Sequence, residues 1–353
     1  MPPATTTTTT RTTINPTIGY IGLGNAGYSL ASNLPKAGYQ LIVHDADVVK
    51  AQKAAAEWPN TTAAAAAAAA SKNTATAGEL SPSAFAACEV IITMLPQGDI
   101  VRKVLLGPDG IAPSLRPGTI IIDTSSSSPF DTQTLGEELA TRYDLRLVDS
   151  PITQTYMHAT SAGESTFMVG CDSPQTYDTI EPILKTMASY IFHMGRLGAG
   201  HAMKTLNNYI MASSICALAD SFVTGQKFGL DPQQMVDVLN VGTGVCFPTL
   251  DTFRRDGLTR RFGSGFGLGL LVKDLGITEE FMGRARFETA LPGVLRGYLR
   301  DGLERVGDLG ADHTACLVGW EERSGVRLRR SEGVREIPKE DFEHRLKGLN
   351  RPG

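Results

Sequence analysis

The stretch Ile18-Gly19-Tyr20-Ile21-Gly22-Leu23-Gly24-Asn25-Ala26-Gly27 decides the fold. A short apolar run leads into glycines at 22, 24 and 27. Tyr28 to Ala37 then reads as a helix closed by Gly38, and Gln40 to His44 as a second strand ending at Asp45. Strand, glycine turn, helix and strand within roughly 30 residues make a βαβ unit, the context in which GxGxxG carries meaning. Gly22 allows the tight turn, Gly24 lets backbone approach a pyrophosphate, and Gly27 lets the helix pack on the sheet, with the helix N-terminus facing the anion. Gly22, Leu23, Gly24, Asn25, Ala26 and Gly27 are therefore candidate dinucleotide contacts.

Asp45 follows at the distance expected of a ribose-binding acid. A carboxylate there accepts from both ribose hydroxyls of NAD and repels the 2′-phosphate of NADP, and no arginine follows immediately, so NAD is expected over NADP. Asp47 is the alternative, and either aspartate could simply start a turn. Further strands are read at Val90 to Met94, Thr119 to Asp123, Arg146 to Asp149, Thr166 to Val169 and Tyr190 to His193, several of them separated by helical segments as a parallel sheet requires. Met94-Leu95-Pro96 and Asp123-Thr124-Ser125-Ser126 lie just after strands, where ligands sit in a doubly wound sheet, although turn chemistry explains them as well.

From Gly200 the pattern becomes helical: a long helix to about Phe228, stopped at Gly229, then another capped by Asp231 with Pro232 in its first turn. The fold class is α/β, a Rossmann-type doubly wound sheet (18–197) followed by an all-α domain (198–324) for substrate and assembly. A disordered Thr-rich tail (1–17) precedes it, and a solvated charged tail (325–353) follows. The Ala63 to Ala70 run could lengthen a helix or protrude as an insert.

Lys204 and Asn208 lie one turn apart on one helix face, behind Gly195, Gly198 and Gly200. A helical lysine is ordinarily a solvated surface residue. Here Asn207-Asn208 is a poor choice for a helix interior, and Met203, Leu206, Ile210 and Met211 suggest burial. Moving hydride between a carbinol and nicotinamide also requires a proton acceptor or donor. An amine whose proton affinity is lowered by burial can serve, with Asn208 holding the amine or the substrate oxygen.

The 353 residues suffice for about two domains. A net charge of −4 offers no general attraction to nucleic acid or anionic membrane, and no apolar run approaches the ~20 residues of a membrane span. Five scattered cysteines without a CxxC pair argue against a disulfide framework, and together with six dispersed histidines they give no metal spacing. A small-molecule partner, no metal and a reducing compartment follow. The N-terminal tract lacks the core of a secretory signal; its freedom from acidic residues leaves a mitochondrial presequence open, but cytoplasm is preferred.

These residues resemble the β-hydroxyacid dehydrogenase family from Ile18 to Ala315, on Gly22-Leu23-Gly24-Asn25-Ala26-Gly27, Thr93 to Pro96, Ile122 to Ser126, Thr166 to Gly170, Gly195 to Asn208 and Lys273-Asp274-Leu275. The resemblance implies an NAD(P)-dependent oxidoreductase like 3-hydroxyisobutyrate dehydrogenase, acting on a small hydroxy acid or its semialdehyde, with Lys204 catalytic and Asn208 its partner. It further implies that Ser125 and Ser126 neighbour nicotinamide and substrate, that Lys273 serves both from the cleft, and that Phe247 lines the substrate pocket. Without it Lys273 would read as a surface charge. A homodimer or homotetramer is expected, with Ile215, Leu218 and Phe222 of the long helix available to pack between subunits.

The chain departs from the family after its Asp149 strand. Where the family has Asp-Ala-Pro-Val-Ser-Gly-Gly, this chain has Asp149-Ser150-Pro151-Ile152-Thr153-Gln154-Thr155, followed by bulky Tyr156, Met157 and His158. Thr153, Gln154 and Thr155 are thus substrate-binding candidates in a remodelled pocket. Ala26 replaces the family's usual methionine. Loss of the glycine pair and the short helical domain argue against 6-phosphogluconate itself. Two other readings stand beside the leading one: a reductase of imines or of carbonyls lacking a carboxylate, and a non-catalytic cofactor-binding subunit. Lys204 argues against the first, and the Lys204 and Asn208 pair against the second.

Overall fold

The computed structural model describes residues 15–64, 80–153 and 165–330. Among the described residues nine strands form one sheet: β1 Thr17–Ile21, β2 Gln40–His44, β3 Thr61–Ala63, β4 Val90–Thr93, β5 Ile120–Asp123, β6 Arg146–Asp149, β7 Ile152–Thr153, β8 Thr166–Gly170 and β9 Tyr190–Gly195. The spatial order is β3-β2-β1-β4-β5-β6-β8-β7, with β9 paired to β8. From β3 to β6 every pairing is parallel. The central strands are continuous apolar runs because both faces are covered. Successive residues supply opposite faces: Tyr20, Ile92 and Ile122 enter one buried cluster, and Ile21, Ile91 and Ile121 the other.

The expected parallel sheet needs one correction. β8 runs antiparallel to both β6 and β7, and β7 and β3 are strands the sequence did not announce. Both are two or three residues long, too short for a periodic signal. The Ala-rich run contributes Ala63 to β3, and its remainder from residue 65 lies outside the described residues.

The helices are α1 Asn25–Ala31, α2 Asn33–Lys36, α3 Val48–Glu57, α4 Gly98–Leu106, α5 Pro129–Tyr143, α6 Pro174–Lys185, α7 Ala199–Phe228, α8 Pro232–Val241, α9 Leu268–Arg284, α10 Leu291–Val306 and α11 Leu317–Ser324. The helix expected from Tyr28 to Ala37 is two pieces joined at Ser32, starting earlier, at Asn25. The long helix ends as read, with Gly229 at φ +102°. A π-helical turn, Pro248–Gly257, and a 3-10 turn, His313–Cys316, complete the helical part.

Two further expectations fail there. Ile215, Leu218 and Phe222 are buried in the protomer's own core with Leu271, Leu299 and Trp320, so they are not available between subunits. The face of α7 that bears them is covered by its own domain, and an apolar helix surface does not announce whether a neighbouring helix or a second chain covers it. The charged C-terminal stretch is not solvated throughout either. Leu328 is buried, its carbonyl accepts from Arg260 and its amide donates to Glu321, while Arg330 N–H reaches Leu258 O. Residues 1–14 and 331–353 lie outside the described residues.

Candidate active site

The sheet's chain order reverses between β1 and β4, and three turns meet at the carboxyl ends of the strands there, the usual ligand position in such sheets. In the first turn, Gly22 sits at φ +105°, and a Cβ on it would collide with Met94 O; a Cβ on Gly27 would collide with Gly22 O. Gly24 differs. Its φ is −63° and nothing lies within 4 Å of where a Cβ would stand, so the chain's own packing does not demand glycine. The exposed backbone at the start of α1, which has no side-chain cap, leaves room for a ligand to approach closely. These residues fit a dinucleotide pyrophosphate.

Asp45 closes the turn, its Oδ2 accepting from Leu23 N–H at 2.6 Å and its Oδ1 from Asp47 N–H at 2.8 Å. Asp47 instead caps α3, accepting from Val49 N–H at 3.1 Å. The two candidates thus have different jobs, and Asp45 is the one facing the glycine turn.

A cavity of about 390 Å³ adjoins this turn. Ala26, Met94, Leu95, Pro96, Ser125 and Ser126 line its sheet side. Thr153, Lys204, Asn208, Phe247 and Lys273 line the rest, so eleven of the residues singled out from sequence meet around one space. Gly22, Leu23, Gly24, Asn25, Gly27 and Asp45 lie outside that lining, along the adjoining turn. Gln154 and Thr155 lie outside the described residues, as do Tyr156, Met157 and His158.

Lys204 is half-buried on α7, and loss of solvent pushes its amine below the ordinary lysine value; nearby Asp274 opposes this and Lys273 adds to it. Asn208 is held by its neighbours. Its Nδ2 donates to Asp274 Oδ2 at 2.6 Å and its Oδ1 accepts from Asn207 Nδ2 at 3.1 Å, so its amide is bonded to Asp274 and Asn207 rather than to the amine. Asn207 also reaches Thr153 Oγ1 at 3.4 Å. Lys273 Nζ donates to Pro96 O and Ser126 O, both at 3.0 Å, and lies 3.0 Å from Asp274 Oδ1. It is a strut between the helical part and two cofactor-side turns, not a surface charge.

Sequence reasoning missed Asp274, Asn207 and the seat of α7. Asp274 is in the quoted Lys273-Asp274-Leu275, but its value shows only through contact with Asn208, 66 residues away. Asp149, read only as the end of a strand and the start of the loop that departs from the family, is fully buried, and its carboxylate accepts from Gly198 N–H and His201 N–H, both at 2.7 Å. Burial raises its proton affinity, offset by His201 and these amides. A Cβ on Gly200 would collide with Met168 O. The glycines before Lys204 therefore let the helix start sit on Asp149. His201, also fully buried, contacts Thr132 Oγ1 at 2.7 Å and Ser125 O at 3.1 Å, tying the same helix to the Ser125 turn.

Among the described residues no helix is long and apolar enough to cross a membrane, and no group of three or more His, Cys, Asp and Glu side chains is placed to hold a metal.

Comparison with known proteins agrees with this architecture. Residues 17–195 match the NAD binding domain of 6-phosphogluconate dehydrogenase, and residues 198–319 match the domain described as NAD-binding of NADP-dependent 3-hydroxyisobutyrate dehydrogenase. The 2-(hydroxymethyl)glutarate dehydrogenase of Eubacterium barkeri is 31% identical over 312 residues, 88% of this chain and 97% of that protein. A probable 3-hydroxyisobutyrate dehydrogenase of Mycobacterium tuberculosis is 33% identical over 267 residues, 74% of this chain and 83% of that one. The structure of M. tuberculosis 3-hydroxyisobutyrate dehydrogenase with L-serine superposes with a TM-score of 0.70 at 28% identity, covering 86% of this chain and 98% of that chain. An open glycine turn, a desolvated lysine across the cleft from it and these relatives lead to one conclusion: the chain belongs to the β-hydroxyacid dehydrogenase family, NAD(P)-binding oxidoreductases acting on CH–OH groups.

Proposed function

We propose that the protein is an NAD-dependent dehydrogenase that interconverts a small 3-hydroxy acid and its semialdehyde or keto form, with Lys204 as the general acid and base. The observation that carries this is the amine of Lys204, desolvated on the wall of the cavity that the cofactor-side turns also line. Bound nicotinamide supplies or accepts hydride. In the oxidative direction neutral Lys204 takes the hydroxyl proton as the carbinol is oxidised, and in reduction its ammonium returns that proton. A lowered proton affinity favours the neutral form the first direction needs.

Lys273 lines the cavity as a cation and favours a substrate carboxylate. The substrates in the relatives' names, 2-(hydroxymethyl)glutarate and 3-hydroxyisobutyrate, each place a CH2OH group beside a carboxylate-bearing carbon, which supports the same substrate class. The Asp45 carboxylate at the glycine turn supports NAD over NADP.

Lys204→Ala tests the role of the lysine. Turnover is expected to fall ~10²-fold to 10⁴-fold with NADH affinity retained; wild-type turnover in the variant refutes it. Titration of the protein with each cofactor tests the other half, and tighter binding of NADPH than NADH overturns the role given to Asp45.

A further inference from the structure

Asp274 is a buried carboxylate at a place where an uncharged amide would make the same hydrogen bond. It lies on α9 at 4% exposure, and its Oδ2 accepts from Asn208 Nδ2 at 2.6 Å. An asparagine could accept that bond as well, without the cost of burying a negative charge that must then be paired. The pairing comes from the preceding residue, whose Nζ stands 3.0 Å from Asp274 Oδ1. Lys273 is itself gripped from the far side, donating to Pro96 O and Ser126 O at 3.0 Å each. One charge is thereby fixed to the cofactor-side turns, and the other to the helix of Lys204.

Asn208 lies one turn from Lys204 on the same face of α7, so Asp274 meets that face beside the amine. Lys204, Lys273 and Asp274 line one cavity. The two charges act on the amine in opposite senses: Asp274 favours its ammonium form, whereas Lys273, together with burial, favours the neutral form. The other charged groups on the elements around α7 are engaged elsewhere. Asp251 and Arg255 of the π-helical turn pair at 3.0 Å. Asp149 of β6 accepts the amides at the start of α7 and lies 3.9 Å from His201 Nδ1. Burial lowers the proton affinity of His313 on the 3-10 turn and keeps that ring neutral.

A group that both takes and returns a proton works best when its proton affinity matches the operating pH. Burial alone only drives the amine towards neutrality. We infer that Asp274 is a positioning residue for the reaction, and that it and Lys273 form an opposed pair of charges, fixed between the two parts of the molecule, which selects the pH at which Lys204 can act. The inference rests on Lys204 as general acid and base, and adds what tunes it.

The pH dependence of kcat/KM for hydroxy-acid oxidation at saturating NAD provides the test, because its acid limb reports the group that must be deprotonated. Asp274→Asn keeps an acceptor for Asn208 and removes the charge, so the limb should move towards acid by about one pH unit or more. Lys273→Met removes the opposing charge, so the limb should move towards alkali by about as much. Asp274→Glu restores the charge and should return the limb to its wild-type place, whatever its turnover. A merely structural role would lower turnover and leave the limb where it was. An unmoved limb in Asp274→Asn, or limbs that move the same way in Asp274→Asn and Lys273→Met, overturns the inference. If Lys273→Met does not fold, Asp274→Asn and Asp274→Glu decide. If no hydroxy acid is turned over, the hydroxy-acid reading itself has failed. The pH dependence of acetic anhydride labelling at Lys204, followed by mass spectrometry in the NADH-loaded protein, still reports the amine. A half-labelling pH common to the wild type and Asp274→Asn overturns the inference separately.

Discussion

Two helices of this molecule begin at glycines beside a strand end, and they use the position in opposite ways. At α1 the N-terminal turn has no side-chain cap, Gly24 is exposed, and the space above it is open. At α7 the corresponding place is filled from within: buried Asp149 accepts the amides of Gly198 and His201, and Gly200 lies hard against Met168 O. An unfilled helix N-terminus is an anion site; one filled by the chain's own carboxylate is a mount. Glycine-rich sequence alone does not distinguish them.

The same substitution at both places should separate the two uses. Gly200→Ala drives a methyl group into backbone that has nowhere to go, so unfolding by denaturant should show a loss of about 3 kcal/mol, or failure to fold. Wild-type stability in that variant would mean α7 is not seated as described. Gly24→Ala meets no atom, so its denaturation midpoint should match the wild type, while NADH affinity drops about tenfold because the methyl group occupies the space a pyrophosphate needs. Unaltered cofactor binding in Gly24→Ala would remove the contrast.

A smaller effect tests what the mounted helix carries. Because burial sets the Lys204 amine below its unfolded value, the unfolded chain binds more protons between the two values, and stability rises with pH through that interval. At pH 7 the amine therefore opposes folding. Lys204→Met should raise the thermal midpoint by about 2 °C or more at pH 7, with the gain shrinking towards pH 10. Calorimetry at both values checks it, and a lower midpoint at pH 7 would contradict a desolvated amine.

The contrast also explains how far sequence carried. The glycine turn, β2 and Asp45 lie within thirty residues of one another, so local spacing revealed them. Lys204 could be singled out, but its support could not. Asp149 reaches the α7 start from 49 residues away and Asp274 reaches Asn208 from 66, and no periodicity encodes such pairings. Ile215, Leu218 and Phe222 were legible as apolar and misassigned to a subunit contact, because hydrophobicity says that a surface is covered and not by what.

His201 joins α7 to the Ser125 turn and to Thr132 on α5, so the cleft face bearing Lys204 inherits the stiffness of the sheet. The opposite face comes from the π-helical turn and the His313 turn, and the π-helical turn leans on the same helix through Phe253 against Phe222. One helix thereby carries the amine and braces the wall that faces it. A change in that wall is passed on to the helix that positions the amine.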